Sequence, residues 1–377
     1  MTLRSQFALS TAVCLTVGTL CVQPARATFL RYKWQAGQLL SYAVQLDGTF
    51  DTQTAADVPV IWAGLPVQIG LHSQATSQLQ TLAVDPAGAA TLSLRMTDLA
   101  LNATGLGQAA EFDVHGGKTQ LLLNGRPLTR GDAAADDRLA ASILAPPVAW
   151  SVNADGKLIG LKKLPDAAAD APAADGTNPA GTNPLGTNPP PADPNAGLAL
   201  AKIAKSIVTP NALIQSLPAL WPERDLQPGD SWDVVIPWAA PEVQAAAAAT
   251  PLGQFHLTFV GLETVDGVSL AHVKVDGKVG LDAAKLAQVN AAAKKSSKPG
   301  AAPADPGGPV GAELSAATET VQGDLWFDAD QGRVVKAQFQ LNGRTSGHSV
   351  TANGQHGDES WADFTGTLQL ALQPPAA

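Results

Sequence analysis

The sequence predicts a mainly β protein, a β-dominant α+β fold in which antiparallel sheets form two related halves with a few covering helices. Three observations predict this fold class. Apolar and polar residues alternate with a period of two along many segments, short Asp, Asn and Gly clusters separate these segments, and helical patterns are few. Because 45% of the 377 residues are apolar, the chain can build one large core or two ordinary cores.

The first 27 residues are predicted to be a cleavable signal peptide. Arg4 precedes an apolar run over 7–22, and small residues two apart lead up to a cleavage site after Ala27. The run is shorter than the roughly 20 residues that span a bilayer. The mature protein is therefore expected to be exported, periplasmic or extracellular, and not an integral membrane protein. Cys21 leaves a lipoprotein as the alternative, which Leu20 disfavours because lipid attachment requires a small residue there.

Charge and cysteine content exclude several classes of function. The chain has a formal charge of −9, which becomes more negative when Arg4 and Arg26 leave with the signal peptide. Such a chain repels nucleic acid and anionic lipid surfaces. Both cysteines, Cys14 and Cys21, lie in the signal peptide, so the mature chain has no disulfide, thiolate nucleophile or thiolate metal ligand.

Composition divides the mature chain into two β-rich halves, residues 28–165 and 195–373. The segment 166–194 contains Gly-Thr-Asn-Pro three times and is rich in Ala, Asp and Pro, so it is predicted to be a disordered linker. A second stretch, 291–311, is rich in Ala, Lys, Pro and Gly and is predicted to be a flexible loop in the C-terminal half.

Strand faces and turns can be assigned from the alternation. Four sets of apolar residues are expected to face a core: Leu40, Tyr42, Val44 and Leu46; Leu92, Leu94 and Met96; Val335, Ala337, Phe339 and Leu341; and Leu368, Leu370 and Leu372. Hairpin turns are predicted at 84–88, 152–156, 327–332 and 352–354. Helices are predicted at 133–144, at 197–208 and after Asn211, which is a candidate N-cap.

The two halves begin with similar segments. Gln35–Tyr42 and Gln227–Val234 each contain a turn ending in Gly, then a polar residue, then an alternating strand. We interpret this similarity as an internal duplication.

The same segments carry a resemblance to a known family. The sequences Leu30-Arg31-Tyr32-Lys33-Trp34-Gln35-Ala36-Gly37-Gln38, Leu226-Gln227-Pro228-Gly229-Asp230-Ser231-Trp232 and Phe327-Asp328-Ala329-Asp330-Gln331-Gly332-Arg333 resemble an uncharacterised family of exported, β-rich bacterial proteins. This resemblance implies an exported β-rich fold and brings no catalytic residues. The insertions at 166–194 and 291–311 depart from a compact member of that family.

The histidines are the first place to look for metal or acid–base chemistry. His115, His256 and His272 share strand faces with polar residues, so they are expected to face solvent. A cluster of His348, His356, Asp358, Glu359 and Asp363 is also present. If Asn353-Gly354 forms a two-residue turn, His348 pairs with Glu359, and His356 pairs with Thr351 roughly 10 Å away from His348. Without a bulge the two histidines cannot share one metal ion, so a surface salt pair is expected.

Other candidate chemistry is incomplete. The segment 328–332 begins like a calcium loop but has Gly332 and Phe339 where ligands are needed, which favours a hairpin turn. Glu223, Asp225 and Asp230 could supply a glycosidase pair, with the nearby tryptophans stacking a sugar. Those tryptophans, Trp221, Trp232 and Trp238, are equally well explained as core anchors. No catalytic, metal or cofactor residue is therefore predicted.

Three classes of function remain open. The first is a non-enzymatic exported protein that binds a lipid or other apolar ligand on a curved sheet, as periplasmic lipid carriers with a half-barrel and helical lid do. The second is a structural module that binds an envelope protein through two β units on the linker. The third, a hydrolase acting on envelope carbohydrate, has the least support, since it requires a convergent buried cluster of His and carboxylates.

Overall fold

The computed structural model describes residues 28–53, 66–105, 107–115, 118–127, 148–162, 210–237, 252–281, 283–296, 309–351 and 355–374. The predicted signal peptide, the linker 166–194, the predicted helices 133–144 and 197–208, the turn 352–354 and Trp238 lie outside these residues. The described residues are mostly strand, as the sequence predicts.

The strands are β1 (Thr28–Phe29), β2 (Leu39–Gln53), β3 (Pro66–Val84), β4 (Ala90–Gly105), β5 (Gln108–His115), β6 (Lys118–Leu123), β7 (Arg126–Pro127), β8 (Val148–Val152), β9 (Leu158–Lys162), β10 (Asp225–Leu226), β11 (Ser231–Pro237), β12 (Leu252–Val265), β13 (Val268–Gly280), β14 (Pro309–Asp328), β15 (Arg333–Thr351) and β16 (His356–Leu372). The helices are α1 (Pro210–Ser216), a 3-10 helix (Leu217–Leu220) and α2 (Ala283–Ser296).

In the described part of the chain, the two halves share one antiparallel sheet of 14 strands. Its order is β11-β12-β13-β14-β15-β16-β2-β3-β4-β5-β6-β7, and β8 and β9 extend from the other end of β4. The seam between the halves is the β16–β2 pair, which runs from Trp361–Gln53 to Leu372–Tyr42. The separate β1–β10 pair also joins the halves, through Thr28–Leu226 and Phe29–Asp225.

The sheet is strongly curled. In a flat sheet, β4 and β11 would lie eight strand spacings apart, about 38 Å. Yet α1 contacts β3 and β4, while the following 3-10 helix contacts β11. Together these two helices, which we call the plug (residues 210–220), span only roughly 18 Å. The two ends of the sheet must therefore approach each other around the plug.

Glycines beneath aromatic rings accompany this curvature. The Phe364 ring lies over Gly48 and Gly366, which face each other across the β16–β2 seam, so a Cβ at either glycine would collide with it. The Phe255 ring covers Gly253 and Gly277 in the same way. Glycine kinks covered by aromatic side chains let a sheet bend without exposing its backbone.

One hydrophobic core occupies the concave side of the sheet, which we call the inner face. Its members include the inward residues of nearly every long strand, among them Tyr42, Leu92, Leu257, Val321, Leu341 and Leu368. Plug residues Ile214 and Leu217 are almost completely buried in the same core. The alternation thus predicted the buried faces correctly, with one exception at β15. A bulge opposite Trp326 and Phe327 buries Val334, and Val335 is only partly buried.

An N-terminal arm, residues 30–34, packs at the end of the sheet that the plug covers, which we call the plug end. Arg31 Nε donates to the Ala154 carbonyl at 2.8 Å in the β8–β9 turn, and the Lys33 backbone N–H donates to the Gly332 carbonyl at 3.1 Å in the β14–β15 turn. Tyr32 stacks on Trp34 with ring centroids 4.5 Å apart and meets Phe327 edge-on. The arm therefore bridges two turns that belong to different halves.

The duplicated segments have the same local structure. Gly37 and Gly229 both have positive φ, and each donates its N–H to a neighbouring strand, to Thr81 and Phe259 respectively. The residue after each glycine, Gln38 or Asp230, closes the turn and accepts an N–H from that same strand residue. Each turn then leads into a strand, β2 or β11, that pairs with the next one. This repeated hydrogen-bond pattern supports the predicted duplication.

The predicted turns are present, whereas one helix start and one loop differ from the prediction. The hairpin turns at 84–88, 152–156 and 327–332 are confirmed. A short helix is present at Asn211, but it begins at Pro210, so Asn211 lies inside the helix and the N-cap prediction was wrong. The loop predicted over 291–311 is shorter than expected, because 291–296 belong to α2 and 309–311 to β14.

Helix α2 protects an exposed edge of β14. Beyond Thr318, β13 no longer pairs with β14, which leaves the backbone of Leu314 free on that side. The Asn290 side chain donates to the Leu314 carbonyl at 3.0 Å and accepts from its N–H at 2.9 Å. The amide thus replaces a neighbouring strand at this point.

Candidate functional site

The inner face differs between its two ends. At the plug end, Leu92, Phe327 and Val334 are completely buried. At the opposite end, which we call the distal end, several inward residues are only partly buried, including Ile69, Leu101, Leu314 and Ala317. Phe50 and Phe364 stack there with ring centroids 4.5 Å apart. The distal end therefore presents an apolar surface that is still partly accessible.

Glu319 is an acidic residue on this apolar surface. It lies on β14 two residues from the buried Val321, and it pairs with Val279 on β13 and with Gly343 on β15. Residues two apart and residues directly paired share a face, so Glu319 is on the inner face. Burial raises the pKa of its carboxyl to about 7, and among the described residues it has no ion-pair or hydrogen-bond partner.

The plug end holds a second concavity, a shallow crevice. It is lined by eight residues that include Arg31, Tyr32, Trp221 and Glu223. Among the described residues the Trp221 Nε1 has no hydrogen-bond partner, and its ring packs on Phe327 with centroids 4.4 Å apart. Its accessible space of about 10 Å³ has room for roughly one water molecule, so the crevice is too small for an organic ligand.

All six histidines lie on the outer face, the convex side of the sheet. His72, His115 and His256 face Asp47, Asp98 and Asp233, and the side chains of His115 and His256 are mostly exposed, as the sequence predicts. His272 is also on the outer face, but it is shielded, because it stacks on Trp326 and contacts Asp324 at 2.7 Å and Glu263 at 3.5 Å. These pairs link neighbouring strands and lie apart from the inner face.

The predicted cluster at 348–363 is partly corrected by the structure. His348 pairs with Glu359 as expected, but a bulge in β16 brings His356 opposite Val350 instead of Thr351. As a result the His348 and His356 rings stack with centroids 5.7 Å apart, much closer than the expected 10 Å. His356 contacts Glu313 at 3.2 Å, while Asp363 pairs with Arg344. Within the described ranges no three metal-ligating side chains are placed to hold an ion.

The remaining candidate residues have structural contacts. Asp328 is buried, and its carboxylate accepts the Gln331 N–H within the hairpin turn, as expected for a turn. Glu223 forms an ion pair with Lys157, and Asp230 forms one with Arg224. These two acids, which were candidates for a glycosidase pair, therefore have separate basic partners. The hydrogen bond from Lys157 lowers the pKa of Glu223, and the Gln227 N–H lowers the pKa of Asp230. Trp221 is a core residue, and Trp232 donates to the Leu220 carbonyl at 2.7 Å.

Sequence reasoning did not identify Glu319. The signal was present, because Glu319 occupies an apolar register of β14 together with Ala317, Val321, Leu325 and Phe327. A charged residue in such a register breaks the alternation that assigns the strand its faces.

Among the described residues there is no helix that is long and apolar enough to cross a membrane.

Comparisons with known proteins identify no family. No protein-family model matches the chain, and no curated protein matches it. Among solved structures, one similar to this chain is a structure of lipovitellin that reports lipid–protein interactions, with 10% identity, 92% of this chain covered and a TM-score of 0.37. The match spans 26% of the lipovitellin chain. Another is an outer membrane channel from Pseudomonas putida F1, with 7% identity, 91% of this chain and 98% of that chain covered, and a TM-score of 0.18. Both TM-scores are too low to indicate a function.

Proposed function

We propose that this protein is an exported, non-enzymatic carrier that binds an apolar or amphipathic ligand on the inner face of its curled sheet. The observation that carries the proposal is the inner face itself, which is apolar across both halves, closed at one end by the plug and partly accessible at the distal end. Concave apolar surfaces with few polar groups are the usual form of a site for small apolar ligands.

The distribution of polar chemistry supports a carrier over an enzyme. Catalysis needs titratable groups that converge near a bound substrate. Here the six histidines lie on the outer face. Two of the candidate glycosidase acids form separate ion pairs, Glu223–Lys157 and Asp230–Arg224. The inner face therefore offers surface for binding instead of a set of reacting groups.

The shared sheet also favours a carrier over two tethered modules. Independent modules would each have their own core and would meet through a small interface. In this protein the β16–β2 seam continues the strand ladder from one half into the other, and one hydrophobic core includes residues of both. The two halves thus form one curved surface, which suits a single elongated ligand.

The first test is the composition of the natural protein. The mature protein, purified without detergent from its own envelope, is analysed by native mass spectrometry and lipid extraction. We expect an apolar molecule at about one per chain. A protein that carries no such molecule, and that also fails to take up the neutral apolar dye Nile red, would contradict the proposal.

A pair of variants locates the ligand. Ala317 faces inward at the distal end, and its neighbour Thr318 faces outward on the same strand. We expect Ala317→Trp to reduce Nile red binding strongly, since the indole fills the inner surface, and Thr318→Trp to leave it unchanged. Urea unfolding of both variants shows that they are folded. Equal binding by the two variants would place the dye elsewhere.

A further inference from the structure

We infer that Glu319 anchors the head group of the bound molecule, and that the preferred ligand is an amphiphile with a positively charged amine head group. The inference rests on the proposed function and adds the chemical class of the ligand. It starts from the position of one carboxyl group on an otherwise apolar surface.

The side chain of Glu319 has room because of the residue opposite. Gly343 has no side chain, and a Cβ built there would lie 3.6 Å from both Cβ and Cγ of Glu319. The Glu319 side chain therefore lies across the position of Gly343, with Phe364 on the next strand. This space keeps a carboxyl group on the inner face that a larger residue at 343 would displace.

No charged group of the described residues balances this carboxyl. The inward neighbours of Glu319 are Val279 on β13, Gly343 on β15, and Ala317 and Val321 on its own strand. The residues paired with Glu319 are Val279 and Gly343, and each has a basic neighbour along its strand, Lys278 or Arg344. Because adjacent residues of a strand face opposite sides, both basic side chains face outward. Helix α2 packs against β14 and carries Lys285, but burial alone sets the pKa of Glu319.

An unpaired carboxyl in an apolar environment favours a cationic ligand. Ionising it costs free energy unless a counter-charge is present, which is why its pKa is raised to about 7. A ligand amine would supply the charge and hydrogen bonds while its hydrocarbon chain covers the apolar surface. An acidic head group would instead add a second negative charge, and a neutral one would leave the ionised carboxylate unpaired.

The test measures three probes of equal chain length by titration calorimetry, each below the concentration at which it aggregates in water: dodecylamine, dodecanol and sodium dodecanoate. We expect dodecylamine to bind about tenfold or more tightly than dodecanol at pH 8, the size of one charge-assisted contact. Glu319→Gln should remove that preference and leave dodecanol binding unchanged. The matched control, Glu359→Gln, removes a carboxylate from the outer face and should keep the preference.

The pH dependence distinguishes the anchor from general attraction to an acidic protein. Dodecylamine stays charged at pH 5.5 and pH 8, whereas Glu319 is mostly protonated at pH 5.5. We therefore expect its affinity for the native protein to fall about tenfold or more between pH 8 and pH 5.5, and its affinity for Glu319→Gln to change little.

The outcomes distinguish a failure of the Glu319 anchor from a failure of the carrier proposal. If Nile red and dodecanol bind but dodecylamine shows no preference, or if Glu319→Gln keeps the preference, the anchor is disproved and the carrier proposal stands. If dodecanoate binds best, the head group is acidic and the inference is wrong. If none of the probes nor Nile red binds, both proposals fail.

Discussion

An ionised carboxyl group on an apolar face raises the free energy of the folded state. Glu319 has this position and no partner among the described residues. Burying an ionisable group favours its neutral form, so the folded protein binds the proton more tightly than the unfolded chain does. The stability of the protein must then depend on pH, whether or not a ligand is present.

We expect Glu319→Gln to stabilise the protein at high pH but not at low pH. The folded pKa of about 7 lies above the unfolded value of 4.5. Below pH 4.5 both states are protonated, and stability is lost as pH rises from 4.5 to about 7. The shift corresponds to about 3 kcal/mol at most. Urea unfolding at pH 4 and pH 8 measures it, with Glu359→Gln as control. A gain of the same size at both pH values would show that the carboxyl is not perturbed.

Gly156 fixes the β8–β9 turn against the plug. It has φ +81, and a Cβ there would collide with the Pro218 carbonyl. We expect Gly156→Ala to lose at least about 2 kcal/mol, because it combines backbone strain with a steric clash. Gly125→Ala is the matched control, since Gly125 has φ +72 and a Cβ there would meet no atom of the described residues within 4 Å, so only about 1 kcal/mol of strain is expected. Equal losses on thermal unfolding would mean that the turn does not contact the plug.

At the scale of an element, helix α2 covers the exposed edge of β14 through the side chain of Asn290. Asn290 makes both hydrogen bonds to the Leu314 backbone, and without them this part of β14 presents unpaired N–H and C=O groups. Open strand edges pair readily with other chains.

We expect Asn290→Ala to lose about 1–3 kcal/mol, the value of two hydrogen bonds, and to increase self-association. Gln288→Ala changes an exposed residue on the same helix and should cost less than about 0.5 kcal/mol. Urea unfolding and light scattering measure the two effects. If both variants stay monomeric and equally stable, α2 does not protect the edge.

The elements also show how far sequence reasoning reaches. Alternation and Asp/Gly turns were sufficient for β2, the β3–β4 hairpin and the β14–β15 turn, because one residue of shift would turn every apolar side chain outward. Bulges were not predictable, since one extra residue leaves no compositional mark. Two of them changed the faces at Val335 and the distance between His348 and His356. Glu319 was predictable in principle, because a charged residue interrupts the apolar register of β14.

At the scale of the whole molecule, several sets of contacts join the two halves. The β16–β2 seam, the β1–β10 pair and the N-terminal arm all cross between residues 28–162 and 210–374. The sequence indicated the two halves and the duplication, yet not their order in the sheet. Pairing of the last strand with β2 depends on long-range contacts that no local pattern records.

We expect the halves to remain one unit after the chain is cut between them. A protease site inserted among the Gly-Thr-Asn-Pro repeats of 176–189 is cleaved in the folded protein, and the products are run on a size-exclusion column. The two fragments should elute together and unfold in a single transition, because separation would expose the seam and divide the shared core. In about 6 M urea they should separate, which confirms that cleavage is complete. Fragments that separate in buffer, each still folded, would instead define two independent modules, and the shared inner face would then no longer support a single carrier site.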